Sequence, residues 1–312
     1  MSSKLQNPGL SKIDEQRLVE KANRQDLRFA VIGFAVLVLA MSALLALVAD
    51  FMIDGLPRIS IDFLINYPSR RPEQAGILSA WVGTVLVMVT TAALAVPIGV
   101  AAGIYLEEYA PKNWITDIIE INVTNLAGVP SIIYGLLALG LFVQTLRLGQ
   151  TILVAGMTLA LLILPIIIVA TREALRSIEI EIREAAFALG ADKWQAVSKY
   201  LLPAARPGIL TGAIVGMSRA IGETAPIITI GALTFIAFLP PAPVQPEFPF
   251  VNFNWLHSPF TVMPIQMFNW ISRPQAGFHI AAAATGVILL VMTLLMNGLA
   301  VYIRYRIRRG PK

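Results

Sequence analysis

Two residues of opposite charge lie one helical turn apart inside an apolar stretch. They are Arg219 and Glu223, within Ser218-Arg219-Ala220-Ile221-Gly222-Glu223-Thr224-Ala225-Pro226. On a helix, a spacing of four places both side chains on one face. Arg219 lies about 11 residues past the start of its apolar run at 208, or roughly 16 Å along a helix axis. That is near the middle of a hydrocarbon core about 30 Å thick. An arginine at that depth costs at least ~2.5–3.5 kcal/mol on insertion scales, so it must face a bundle interior or a wet cavity. Two uses fit the pair. It can be a neutral ion pair that packs a helix bundle. Alternatively, the planar guanidinium can hold a passing oxyanion, whose geometry it matches. Glu223 would then compete for the guanidinium and keep the grip weak enough for release.

Other chemistry is thin. His257 and His279 are the only histidines and there is no cysteine, so no metal set or thiol nucleophile is evident. No Gly-x-x-x-x-Gly-Lys-[Ser/Thr] phosphate loop is present, so ATP hydrolysis is not expected of this chain. Asn122, Thr124 and Asn125 can line a passage or bond between helices. Asp50 and Asp54 mark the end of the first apolar block.

The elements that must carry Arg219 are membrane spans. Hydrophobic residues make up 56% of the 312 and charged residues only 14%, against about 25% charged in soluble domains. Six apolar blocks are long enough to cross a bilayer: 28–49, 77–105, 121–145, 150–171, 208–238 and 280–303. The chain reads as an all-α integral membrane protein, a six-span helical bundle. Pro97, Pro130, Pro165 and Pro226 fall within spans two to five, where each removes a backbone bond and bends the helix. Spans three and four, joined by Leu146-Arg147-Leu148-Gly149, should form a tight hairpin. The net charge is +5, but the basic residues sit between apolar blocks, which argues for a membrane and against nucleic acid as partner. With the N-terminus inside, the inner segments and Arg28 hold 18 of the 24 Lys and Arg. This bias puts both termini in the cytoplasm of a multi-pass protein.

The chain divides into a cytoplasmic N-terminal segment (1–27), a six-span membrane domain (28–303) and a basic cytoplasmic tail (304–312). Within the membrane domain lie a cytoplasmic loop at 172–207 and an outer loop at 239–279. Ser11–Arg28 reads as a weakly amphipathic cytoplasmic helix. Residues 50–76 form another outer segment. The 239–279 segment begins Pro-rich and carries Phe248, Phe250, Phe253 and Trp255. It can contact an external partner or serve as a stiffened connector.

The 172–207 segment is charged yet helical in pattern. Arg172–Arg183 reads as an extension of span four. Ala185 and Ala186 are small enough to admit another protein closely. Gly190 allows a turn between two short helices, and Asp192 can cap the second one. Pro203 and Pro207 should break that helix before span five.

Glu184-Ala185-Ala186, three residues, Gly190, and then Leu202-Pro203 resembles the signature of permease subunits of ABC importers, with Tyr200 in place of the usual Ile. The resemblance implies the type I ABC importer permease fold. It also implies that Glu184, Ala185, Ala186, Gly190, Leu202 and Pro203 form the coupling helix seated in a groove of the ATPase. The Arg219–Pro226 block and Val129-Pro130-Ser131-Ile132-Ile133-Tyr134-Gly135 are similar to stretches of phosphate importer permeases of the PstA type. That resemblance implies a phosphate pathway lined by Arg219, Glu223, Thr224, Ser131 and Tyr134. Its implied partners are a PstC-type second permease, two copies of a PstB-type ATPase that bind the ATP and Mg, and a PstS-type phosphate-binding protein. Its implied location is the cell (inner) membrane, within the lipid bilayer. Another oxyanion or a phosphonate remains an alternative cargo. A membrane anchor that docks a cytoplasmic partner remains an alternative class.

Overall fold

The computed structural model describes residues 12–245, 248 and 250–309. The outermost parts of the two terminal segments, 1–11 and 310–312, and Pro246, Glu247 and Pro249 of the outer loop lie outside them. Among the described residues the secondary structure is helical. The one β contact is an isolated antiparallel bridge between Val244 and Val251 in the outer loop.

The chain divides into two compact units, Met1–Ile53 and Asp54–Lys312. The first is built on helix α1, Lys12–Gly55. The polar stretch up to Arg28 and the first apolar block are one uninterrupted helix. From Lys12 to Ile32 there is no glycine or proline to end it, and the residues are good helix formers.

The second unit contains the remaining helices. They are α2 (Ile61–Ile65), α3 (Leu78–Ile104), α4 (Trp114–Leu126), α5 (Ser131–Ala138), α6 (Ile152–Arg176), α7 (Ile180–Ala188), α8 (Lys193–Gln195), α9 (Leu202–Ile221), α10 (Ala225–Thr229), α11 (Met263–Ile271) and α12 (Ala276–Arg309). Wider π-helical turns extend three of them: Tyr105–Tyr109 after α3, Leu139–Thr145 after α5, and Ala196–Leu201 after α8. By length and composition, four helical stretches can cross a membrane. They are Arg24–Arg58, Leu78–Tyr109, Ile152–Arg176 and Ala276–Arg306.

The third and fifth apolar blocks differ from straight spans. The third is a broken pair, α4 and α5 with its extension, bent by 105°. The break falls at Ala127-Gly128-Val129-Pro130, where the proline pushes the preceding residue off helical geometry. The fifth is helical only to Ile221. Gly222 caps α9, Pro226 opens the short α10 at a position where its missing N–H costs nothing, and the chain from 230 to 245 forms no further helix. Pro97 and Pro165, by contrast, lie inside uninterrupted helices.

The bundle is centred on α6, which packs against α3 on one side and α9 on the other. The α9 contact is made by glycines four apart. A Cβ on Gly208 would meet Ala174 Cβ at 2.5 Å, and one on Gly212 would meet Ala170 Cβ at 2.2 Å. Small residues at this spacing let two membrane helices approach closely, where dispersion rather than water expulsion holds them. On its other face α9 is tied to α12. Ser218 Oγ meets Asn297 Oδ1 at 2.5 Å, and Arg304 donates to Thr211 Oγ1 at 2.8 Å. A second core under the outer segments gathers Phe63, Trp270 and Phe278, so 239–279 includes the ordered helix α11.

Candidate functional site

The cytoplasmic-loop segment from Ile180 onward is a helix-turn-helix. Its first arm, α7, ends in a left-handed residue, Gly190, at φ 82°. Ala191 N–H donates to Ala186 O at 3.1 Å and Gly190 N–H to Phe187 O at 2.9 Å. These two bonds form the Schellman closure that satisfies the last carbonyls of a helix. Asp192 then caps the second arm. Its carboxylate accepts from Gln195 N–H at 2.7 Å, and the Gln195 side chain accepts from Asp192 N–H at 3.2 Å. That reciprocal capping box satisfies two N–H groups at the start of the next helix locally.

From Lys193 the helix continues through the π-helical turn into α9, so Pro203 and Pro207 do not interrupt it. Pro203 sits at the N-terminal edge of α9, and the wide turn at Ala196–Leu201 accommodates the change of bonding register. Leu202 and Pro203 are half-buried, and Leu201 and Val197 beside them pack on Ala174 and Leu175 of α6. The reading of 172–183 as one extension of span four also changes: α6 stops at Arg176 and α7 begins at Ile180. Glu184 and Ala185 are exposed, whereas Ala186 is buried within the chain. The exposed face adds large apolar residues: Phe187, Leu189 (82% exposed), Trp194 and Tyr200. Four such side chains around one turn form a surface that suits burial against another protein.

Arg219 and Glu223 stand at the far end of α9. Arg219 Nε lies 3.3 Å from Glu223 Oε1, with the side chains 37% and 18% exposed. Arg219 lies in the last turn of the helix, roughly 26 Å along its axis from Leu202, and Glu223 lies in the break that follows. Thr224 is half-buried beside it.

The structure brings the third-span residues to the same place. Gly135 touches Pro226 so closely that an added Cβ would sit 2.7 Å from Pro226 Cα. Tyr134, whose side chain ends in a hydroxyl, is buried at 8% exposure. That hydroxyl donates to Leu126 O at 2.8 Å, across the 105° bend, and so pins α5 to the end of α4. Ser131 opens α5 one turn before Gly135 and is half-buried. Replacing Gly135 by alanine should force α5 and α10 apart, because the obstructing atoms are the Pro226 backbone and Thr229 Cβ, which is fixed to the backbone. The expected loss is about 1–3 kcal/mol, read as a lower melting temperature of the detergent-solubilised protein.

A charged cluster escaped the sequence reading. Arg172, 7% exposed in its side chain, pairs with Glu107 at 3.5 Å and with Glu120. Arg176 shares both carboxylates, at 3.1 and 3.9 Å. Arg183 pairs with Glu108 at 2.5 Å, and Lys193 lies over the Tyr109 ring at 5.0 Å. Glu120, Thr124, Asn125, Arg172 and Arg176 line a cavity of about 370 Å³. The available signal was Glu107-Glu108 at the end of one span, with two arginines four apart at the end of another. Among the described residues no group of three His, Cys, Asp or Glu could hold a metal ion.

Residues 75–309 match the family described as binding-protein-dependent transport system inner membrane component. The chain belongs to this family. Among its relatives, a phosphate transport system permease protein PstA 1 of Mycobacterium tuberculosis (strain ATCC 25618 / H37Rv) is 32% identical over 247 residues, covering 77% of this chain and 75% of its own. A probable ABC transporter permease protein, YqgI of Bacillus subtilis (strain 168), is 32% identical over 191 residues, which is 61% of this chain and 65% of the relative's length. Among solved structures, an inward-facing MetNI methionine ABC transporter chain superposes with a TM-score of 0.56 at 18% identity, over 74% of this chain and 95% of that one. The fold is thus that of a type I ABC importer permease, a multi-pass membrane protein that works within an importer complex.

Proposed function

We propose that this chain is the PstA-type permease subunit of an ATP-driven importer and carries inorganic phosphate across the membrane by alternating access. The observation that carries this reading is the placement of Arg219. Its guanidinium is paired with Glu223 at the break before α10, the helix that packs on Gly135 beside Tyr134, and one helix joins it to the docking turn. A side chain 37% exposed in the isolated chain can look into a passage that a second permease completes. There it offers planar, bidentate recognition of a phosphate oxyanion. Glu223 competes with the oxyanion, so binding stays reversible. The names of the PstA relatives support phosphate as the cargo.

In this reading the chain is a transport subunit and not an enzyme. ATP and Mg²⁺ are bound by two PstB-type ATPase copies, a PstC-type chain supplies the other half of the pathway, and a PstS-type protein delivers phosphate from outside. The complex sits in the cell (inner) membrane with both termini in the cytoplasm, as the excess of inner Lys and Arg supports. Residues 1–27 and 304–312 are its cytoplasmic ends and 28–303 its permease domain. When the ATPases close, they move the exposed turn around Glu184, Ala185 and Gly190. The α9 helix carries that displacement along α6 toward Arg219.

Competition decides the cargo. In proteoliposomes holding the assembled complex, excess unlabelled phosphate should suppress uptake of labelled phosphate, while sulfate and molybdate leave it unchanged. Equal suppression by sulfate would replace phosphate with a broader oxyanion class.

A further inference from the structure

The charged cluster lies on elements other than those that carry Arg219 and Glu223, and it spends buried charge to hold separate elements together. Removing a carboxylate and a guanidinium from water costs several kcal/mol per ion unless geometry and partners compensate. Here Arg172 is 7% exposed and Glu108 is 7% exposed in their side chains. Their partners come from different elements. Glu107, Glu108 and Tyr109 all belong to the π-helical turn after α3. Glu107 is held by Arg172 and Arg176 of α6, and the same arginines hold Glu120 of α4. Glu108 is held by Arg183 of α7, and the Tyr109 ring lies beneath Lys193 of α8. The turn therefore grips both arms of the docking segment on one side and the bundle on the other. From Glu120 the connection runs along α4 to Leu126, whose carbonyl receives the Tyr134 hydroxyl. Tyr134 adjoins Gly135 in α5, and Gly135 packs on Pro226 of α10, the short helix that follows the Arg219–Glu223 pair.

We propose that Glu107 and Glu108 are positioning residues for transport, forming with Arg172 and Arg183 a second linkage from docking segment to pathway, parallel to α9. One route moves α9 and Arg219. The other moves α4 and α5, and so the opposite wall carrying Tyr134. An ion-paired joint suits this task because it transmits a pull along a fixed direction and has discrete alternative pairings. Arg176, half-exposed and within reach of Glu107, Glu120 and Glu173, supplies those alternatives.

This inference rests on the importer reading. The test compares phosphate moved per ATP hydrolysed in proteoliposomes of the full complex. The Glu108–Arg183 pair is the one to alter, because it can be reversed without disturbing Glu120. Glu108→Gln and Arg183→Gln should each lower that ratio about tenfold, within the usual range of coupling between sites, while ATP hydrolysis persists. The reversed pair, Glu108→Arg with Arg183→Glu, should restore the ratio to near the wild-type value. An unchanged ratio in the single variants would overturn the linkage. So would a parallel fall of uptake and hydrolysis, the mark of simple misfolding, or a failure of the reversed pair to restore coupling. If the wild-type complex itself moves no phosphate, the importer reading fails instead, and the two failures are told apart.

Discussion

Arg219→Ala should lower ATP-driven phosphate uptake about 10–100-fold, corresponding to about 1.5–3 kcal/mol for a lost charge-assisted hydrogen bond. The variant removes the only guanidinium carried inside the apolar blocks of spans five and six up to 303. It leaves the docking turn untouched, so basal ATP hydrolysis should stay near wild type. Arg219→Lys keeps the charge but loses the planar fork that meets two oxygens at once, so it should fall between the two. Glu223→Gln tests the competitor. With no carboxylate to take back the guanidinium, phosphate should bind more tightly and leave more slowly, lowering both the half-saturating concentration and the maximal rate. Initial rates of labelled phosphate uptake measure all three. Wild-type uptake by Arg219→Ala would leave the pair as packing alone.

The second large effect is expected at the docking turn. Gly190 sits at φ 82° with open space around the position of a Cβ. Proline fixes φ near −65° and has no N–H, so Gly190→Pro loses both the left-handed turn and the bond to Phe187 O. The expected local cost is about 3 kcal/mol or more. The two arms should then lose their relative orientation, and uptake should fall sharply while hydrolysis by the ATPases becomes independent of transport. Gly190→Ala isolates the dihedral term. With no neighbour to strike, it costs about 1–2 kcal/mol and should retain part of the uptake. Parallel assays of hydrolysis and uptake read out both variants, and full uptake by Gly190→Pro would exclude a docking role for this turn.

What the sequence disclosed follows the range of the interactions involved. The Gly190 turn and the Asp192 cap are local: each is set by residues within a few positions, and both form as their composition implies. The Arg219–Glu223 contact is a four-residue spacing and was legible for the same reason. The break at Ala127–Pro130 was half-legible. Pro130 announced a bend, but its size depends on the Tyr134 hydroxyl reaching back to Leu126. The end of α9 was hidden because residues 222–238 are as apolar as a span, although Gly222, Pro226 and Gly231 interrupt the backbone. Pro203 and Pro207 misled in the opposite sense: Pro203 falls in the first turn of α9, just after a π-helical turn, and Pro207 lies inside the helix without ending it. The ion cluster joins residues far apart in the chain, Arg172 to Glu107 and Arg183 to Glu108, and a single sequence gives no register for such pairings. The burial of Ala186 belongs here too, because only the packing of α7 on the turn after α8 decides which alanine faces outward.

The most direct test of the whole account is ATP-driven accumulation of phosphate in sealed vesicles containing this chain, the second permease and the ATPase, with the external binding protein supplied. ATP on the cytoplasmic face should raise labelled phosphate on that same face above its concentration on the opposite side, and the gradient should collapse when hydrolysis is blocked. ATP hydrolysis stimulated by assembly of the complex, with no labelled phosphate crossing the membrane, would contradict the account and leave this chain as a docking anchor.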